Sequence, residues 1–214
     1  MFNNEECGLK VAEFLLQIKA IKLQPHNPFT WAAGWKSPIY CDNRKTLSYP
    51  QIRTYIRQQF VELILDKYGK PDVIAGVATG GIALGALIAQ ELGVPFVYVR
   101  SSSKGHGLQN KIEGVIDSGQ SVVVVEDLVS SGKSSLDAVD ALKEIGCVVK
   151  GMVAIFTYGF DVAEENFVNS KCTLHTLTDY NCLIQQALNS NFITENDLNS
   201  LKDWRKSPSV WMQD

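Results

Sequence analysis

Hydrophobic positions recur along this chain at two different periods, and the change between them divides it. Over residues 6–20 (ECGLKVAEFLLQIKA), Leu9, Ala12 and Leu16 fall at helical spacing. From Pro50 onward, Ile52, Tyr55, Ile56, Phe60, Leu63 and Ile64 line one face of a second predicted helix. Pro50 suits a first turn, where its missing N–H costs nothing, and Gly69 suits the stop. Residues 21–47 read as irregular, with Pro25, Pro28, Gly34 and Pro38 set among Phe29, Trp31, Trp35 and Tyr40. A segment of that length commonly covers something or carries function.

Beyond Gly69 short apolar runs take over. DVIAGVA (72–78), PFVYVR (95–100), SVVVVED (121–127) and CVVKGMVAIFTY (147–158) predict buried strands. GGIALGALIAQELG (80–93) and KSSLDAVDALKEIG (133–146) predict helices between them. This alternation predicts an α/β fold whose right-handed crossovers cover both faces of a mostly parallel sheet. The tail reads as a helix, the strand TLHTL (173–177) and two short helices. The last is opened by Thr194, with Asp197 three residues on as in a capping box.

Composition narrows the partners. The 214 residues are 45% hydrophobic and 20% charged with a net charge of −3, so no global field attracts nucleic acid or an anionic membrane. Any anionic ligand must be held by local groups. The start, MFNNEECGLK, lacks the basic and apolar regions of a signal peptide, and no apolar run reaches the ~20 residues of a membrane span. Cys7, Cys41, Cys147, Cys172 and Cys182 have neither zinc-site nor disulfide-framework spacing. They read as reduced packing thiols of a cytoplasmic protein.

In open α/β sheets ligands bind beyond the carboxyl ends of the strands. Three such ends here carry unusual chemistry: GVATGG (76–81), RSSSKGHG (100–107) and VVVVEDLVSSGKS (122–134). In the last, four valines run into Glu126 and Asp127. A buried carboxylate costs several kcal/mol, so two adjacent ones belong where water or a ligand reaches them. Ser130, Ser131, Gly132, Lys133 and Ser134 then leave a helix amino end open, with free N–H groups and a positive dipole that suit phosphate. A Walker A loop is a poor match, because Asp127 stands where its first glycine belongs. Paired acids can instead accept from a vicinal diol, and a diol plus a phosphate on one sugar describes a ribose 5-phosphate.

Four apolar residues, two acids, two more apolar residues and small residues around a glycine are similar to the signature of the type I phosphoribosyltransferases. The resemblance implies that fold and the substrate 5-phosphoribosyl 1-diphosphate. It implies that Glu126 and Asp127 hold the ribose diol, with Leu128 next in the substrate site, and that Val129 to Ser134 supply the 5′-phosphate cradle through backbone amides and hydroxyls. YVRSSSKGHGLQNKIEG (98–114) resembles the catalytic loop of the orotate phosphoribosyltransferase family, implying that Arg100, Lys104 and His106 serve the departing diphosphate. Ser101 stands where many members carry a second Lys. Thr79 and Gly80 fall in the loop that touches the diphosphate, without the Lys some members have at position 80. FTWAAGWKSPIYCDNR (29–44) resembles the family's hood over the base, with Ala32 where some members have Lys. The expected domain is thus 1–214, with helix and hood to about residue 48 and the core and tail after it.

One departure concerns the base itself. Better-known members carry Asp-Arg where this chain has Thr157-Tyr158, so the orotate contacts fall partly to Ser130 and the hood around Lys36 to Tyr40. The reaction implied joins orotate to the phosphoribosyl group, giving orotidine 5′-monophosphate and diphosphate in pyrimidine biosynthesis. Asp127, Arg100, Lys104 and His106 would carry catalysis. Mg²⁺ is the implied cofactor, held through substrate and water with no direct protein ligands, and a homodimer with shared active sites is the implied assembly. Two alternatives stay open: a phosphoribosyltransferase for another base, and a non-catalytic 5-phosphoribosyl 1-diphosphate sensor. His26 and His175 read as structural, Trp204 and Trp211 as packing of the tail, and Trp31 and Trp35 as either base-stacking or hood-packing residues.

Overall fold

The structure, a computed structural model, describes residues 5–31, 34–101 and 111–212. Helix α1 (Glu5–Gln17) leads into the segment read as irregular, which instead holds four short strands. β1 (Ile21–Leu23) pairs antiparallel with β4 (Ile39–Cys41), and β2 (Phe29–Thr30) with β3 (Lys36–Ser37). These strands are two or three residues long, too short for a hydrophobic period to register. A 3-10 turn (Asn43–Ser48) then enters α2 (Pro50–Tyr68), with Pro50 in its first turn and Gly69 as its cap at φ +67°.

The predicted alternation follows. β5 (Val73–Val77), α3 (Gly80–Leu92), β6 (Phe96–Val99), β7 (Ile112–Glu113), β8 (Ser121–Val129), α4 (Lys133–Glu144) and β9 (Val148–Thr157) come in order. The tail adds α5 (Asp161–Asn169), β10 (Leu174–Asp179), α6 (Tyr180–Asn189) and α7 (Glu195–Lys206). One six-stranded sheet runs β10-β9-β8-β5-β6-β7, parallel throughout except for β7 at the edge. β7 is a further strand, and its two residues are too few to carry a period. β8 runs two residues past its expected end, so Leu128 and Val129 belong to the strand.

The valines of β8 explain the two cores. Successive side chains of a strand point to opposite faces. Val123 and Val125 join Ile74, Val153 and Ile155 beneath α1, α2, α3, α6 and α7, whereas Val122 and Val124 join Val73, Met152 and Ala154 beneath α4 and α5. Each valine is fully buried, so a polar residue within this run would be left in a dry interior. Trp204 is fully buried against Trp31, Tyr158, Phe160 and Tyr180, which ties tail to hood. The capping box of α7 forms as expected, and Asp197 within it also meets His26 Nε2 at 2.7 Å. All five cysteines are free. Among the described residues no helix is long and apolar enough to cross a membrane.

Candidate active site

Because β5, β6, β8 and β9 run parallel, their carboxyl ends share one edge, and the chemistry gathers there. Glu126 follows Val122 and Val124 onto the α4 side of the sheet. It is only 6% exposed; Oε2 accepts from Ser135 Oγ (3.1 Å) and Oε1 from the Asp127 N–H (3.0 Å). Asp127 turns to the other face, is half-buried, and meets the first turn of α3. A Cβ at Gly80 would overlap the Asp127 carboxylate, so any side chain at position 80 would have to displace it. That gives a physical reason for glycine there. The preceding Ala78–Thr79 peptide is cis, and Thr79 is exposed.

Burial raises both acids above their ordinary values. For Glu126 desolvation acts first and the Asp127 charge second, lifting it to about 8. For Asp127 desolvation again dominates, opposed by the hydrogen bond with Glu126 and the charge of Arg44. Two residues that the motif reading passed over support this edge. Buried Asn43 donates Nδ2–H to the Asp127 carbonyl at 2.7 Å, and Ser135 holds Glu126 from α4. Asn43 precedes Asp127 by 84 positions, a separation no local motif reveals.

The small-residue loop is as open as its composition suggests, but it begins later. Val129, counted with the loop from sequence, is fully buried, and its carbonyl accepts from the Tyr158 N–H (3.3 Å) and Thr157 Oγ (3.1 Å). Free backbone therefore starts at Ser130. Gly132 caps α4 at φ +78°, where a Cβ would meet the Phe167 ring; it has no side chain to cap the helix, and Ser131 Oγ accepts from the Lys133 N–H only at 3.5 Å. The Ser131 carbonyl takes a hydrogen bond from Asn166 Nδ2, while Lys133 and Ser134 stand exposed in the first turn. An uncapped amino end flanked by serines is suited to an anion.

Arg100, beyond β6, lies 3.4 Å from Glu113 Oε1 of β7 through Nη1. Lys104 and His106 lie outside the described residues. Lys36 is exposed with Nζ 3.4 Å from Thr30 Oγ, and Tyr40 packs its ring against Phe29 at 5.6 Å. Beside the loop lies a cavity of about 720 Å³, within the usual size of a small-molecule site. Its walls include Trp31, Trp35, Ser130, Phe160 and Arg205, so in the hood it is the tryptophans that face it. Trp31 is half-buried and hydrogen-bonded to the Ile39 carbonyl, whereas Trp35 is 40% exposed. Tyr158 is 3% exposed and stacked on Phe160, so the strand end where the resemblance expects an arginine is filled by a packed ring.

A mostly parallel sheet with paired acids and an open helix end at one edge defines an α/β protein with its candidate chemistry gathered at the strand ends. The family profile described as "Phosphoribosyl transferase domain" matches residues 47–180, and the chain belongs to that family. Within it, the chain belongs with the orotate phosphoribosyltransferases. The protein of that name from Bacteroides thetaiotaomicron is 60% identical over 94% of both chains. Among solved structures, the UMP synthase of Leishmania donovani superposes with a TM-score of 0.76 at 26% identity, over 92% of this chain and 42% of that longer one. The orotate phosphoribosyltransferase of Aeropyrum pernix matches the fold with a TM-score of 0.74 at 24% identity, over 86% of this chain and 99% of that one.

Proposed function

We propose that the protein transfers the phosphoribosyl group of 5-phosphoribosyl 1-diphosphate to orotate. The bond from the anomeric carbon to diphosphate breaks, a bond to a ring nitrogen forms as that nitrogen's proton passes to the departing diphosphate or to water, and orotidine 5′-monophosphate and diphosphate leave. The observation that carries this reading is the position of Asp127. It lies at the strand end, against Gly80, with an uncapped helix end and a small-molecule cavity following in the same β–α junction. Asp127 accepts from the ribose hydroxyls, with Glu126 beneath it as second acceptor once it releases Ser135. The amides from Ser130 to Ser134 bind the 5′-phosphate. Arg100, Lys104 and His106 counter the charge that develops on diphosphate; His106 has the side chain that titrates near neutrality. Positioning and electrostatics supply most of the rate in such a displacement.

Mg²⁺ is part of this proposal. Among the described residues no three His, Cys, Asp or Glu side chains converge on one point. The ion would be held by substrate oxygens and water, with Asp127 reaching it through the sugar it grips. Bound there, the ion would neutralise charge on the diphosphate. A homodimer with shared sites completes the proposal: mixing Asp127→Asn with Lys104→Ala should restore activity in hybrid dimers. Subunit exchange without recovery would place the loop in its own subunit's site.

The deciding experiment follows ultraviolet absorbance of protein with orotate, 5-phosphoribosyl 1-diphosphate and Mg²⁺. A loss at the orotate band that needs all components supports the reaction. No loss, with uracil or purines consumed in parallel, would assign another base. No turnover with any base, but tight binding of the sugar diphosphate, would favour a sensor.

A further inference from the structure

We infer that Arg205 reads the carboxylate of the acceptor base, and so sets the preference for an acidic pyrimidine over a neutral one; this rests on the transfer proposed above. The cavity beside Ser130 and Ser131 takes Lys202, Arg205 and Lys206 from the last turns of α7, against one acid, Asp161. Its walls also include Trp35 and Phe160. A flat ring carrying a negative charge matches both features, since aromatic faces take the ring and a guanidinium fork takes a carboxylate through two parallel bonds.

Arg205 stands out among the three cations because it is positioned. Nη2 donates to the Gly159 carbonyl at 2.9 Å and Nη1 to Asn181 Oδ1 at 3.0 Å. Both partners are neutral, so the charge is fixed in place without being neutralised by them, and other N–H donors of the fork remain to be used. Basic residues in a last turn also complement a helix dipole. That accounts for Lys206, but not for a side chain that leaves its own helix to reach α6 and the end of β9. Tyr158, buried in the aromatic cluster at that strand end, offers no cation itself. Arg205 arrives beside it from the tail, held by fully buried Trp204 one residue earlier.

The test compares orotate with its neutral 6-carboxamide, which has nearly the same shape. In Arg205→Gln the KM for orotate should rise by about ten- to a hundredfold, the worth of a charge-assisted hydrogen bond. The KM for 5-phosphoribosyl 1-diphosphate and the inhibition constant of the carboxamide should stay within about twofold, a margin far below that expected loss. Arg205→Lys, which keeps the charge and loses the fork, should fall between. It also carries the test if Arg205→Gln does not fold. Equal losses for orotate and carboxamide would make Arg205 structural and overturn the assignment, as would an unchanged KM for orotate. Wild-type protein inactive with orotate would overturn the functional reading and this one with it. An active wild type with an indifferent Arg205→Gln would sink the Arg205 assignment alone.

Discussion

The proposed sugar-phosphate edge occupies a single β–α junction: β8 delivers Glu126 and Asp127, a glycine turns the chain, and α4 begins. The neighbouring cavity takes its walls from the hood, that same junction, the turn after β9 and the tail helix. A strand end and a helix start are local structures, so the chemistry of the edge is written in consecutive residues. The cavity exists only after distant segments pack, and its members are separated by whole elements. The acid at the root of the edge is also drier than the cavity walls. Glu126 is nearly as buried as the valines before it, while Trp35 and Lys202 on the cavity stand in solvent. Damage at the edge should therefore cost chemistry, and damage at the cavity should cost selectivity.

Asp127→Asn breaks this comparison most directly. It keeps the shape of the side chain but weakens an acceptor for the sugar, and kcat/KM for 5-phosphoribosyl 1-diphosphate should fall by roughly 10²–10³, the usual cost of one preorganised electrostatic contact. Steady-state kinetics beside a thermal melt would check it. An unchanged kcat/KM would remove Asp127 from the site and leave the edge without its main feature.

Asn43→Ala should have a smaller effect. Its Nδ2–H is the strap from the hood segment to the part-buried Asp127 carbonyl, and a fully buried carbonyl left unpaired would cost about 1–3 kcal/mol, an upper bound here. Part of that should appear as a lower melting temperature and part as a roughly tenfold lower kcat/KM, as expected when a supporting contact is lost. A melt unchanged from wild type would mean that water replaces the strap and that hood and edge are less firmly joined than the 2.7 Å contact implies.

The same contrast explains what could be read from the chain. The alternation of β5, α3, β8, α4 and β9 was legible because each element is long enough to show its period and is bounded by glycine, proline or acids. The acid pair was legible because four buried valines make any following charge conspicuous. Asn43 and Ser135 were not, since each is an ordinary polar residue until folding brings it to Asp127 or Glu126. Arg205 was hidden for the same reason: in the sequence it is one of two basic residues closing a helix. The departure at Thr157-Tyr158 indicated that a cation was missing but not where another would come from.

Glu126→Gln is the smallest change and sharpens the contrast in burial. Burial and the Asp127 charge raise Glu126 from 4.5 to about 8 in the folded chain, so the fold holds its proton more tightly than the unfolded chain does. Its contribution to stability is therefore fully present below pH 4.5 and is lost as pH rises toward 8 and through it. Glutamine stays neutral and can still accept from the Asp127 N–H. Wild type and variant should melt together near pH 5, and the variant should melt progressively higher as pH approaches 9, by on the order of ten degrees, since each pKa unit is about 1.4 kcal/mol and each kcal/mol about 2–4 °C at this chain length. Parallel melting curves across that range would mean that Glu126 is ionised in its buried position, and that the free edge already carries two charges. A gap that opens with pH would mean that the free edge holds one proton between its two acids. It would then give that proton up as cationic partners arrive, which the cavity, open to solvent at Trp35, has no need to do.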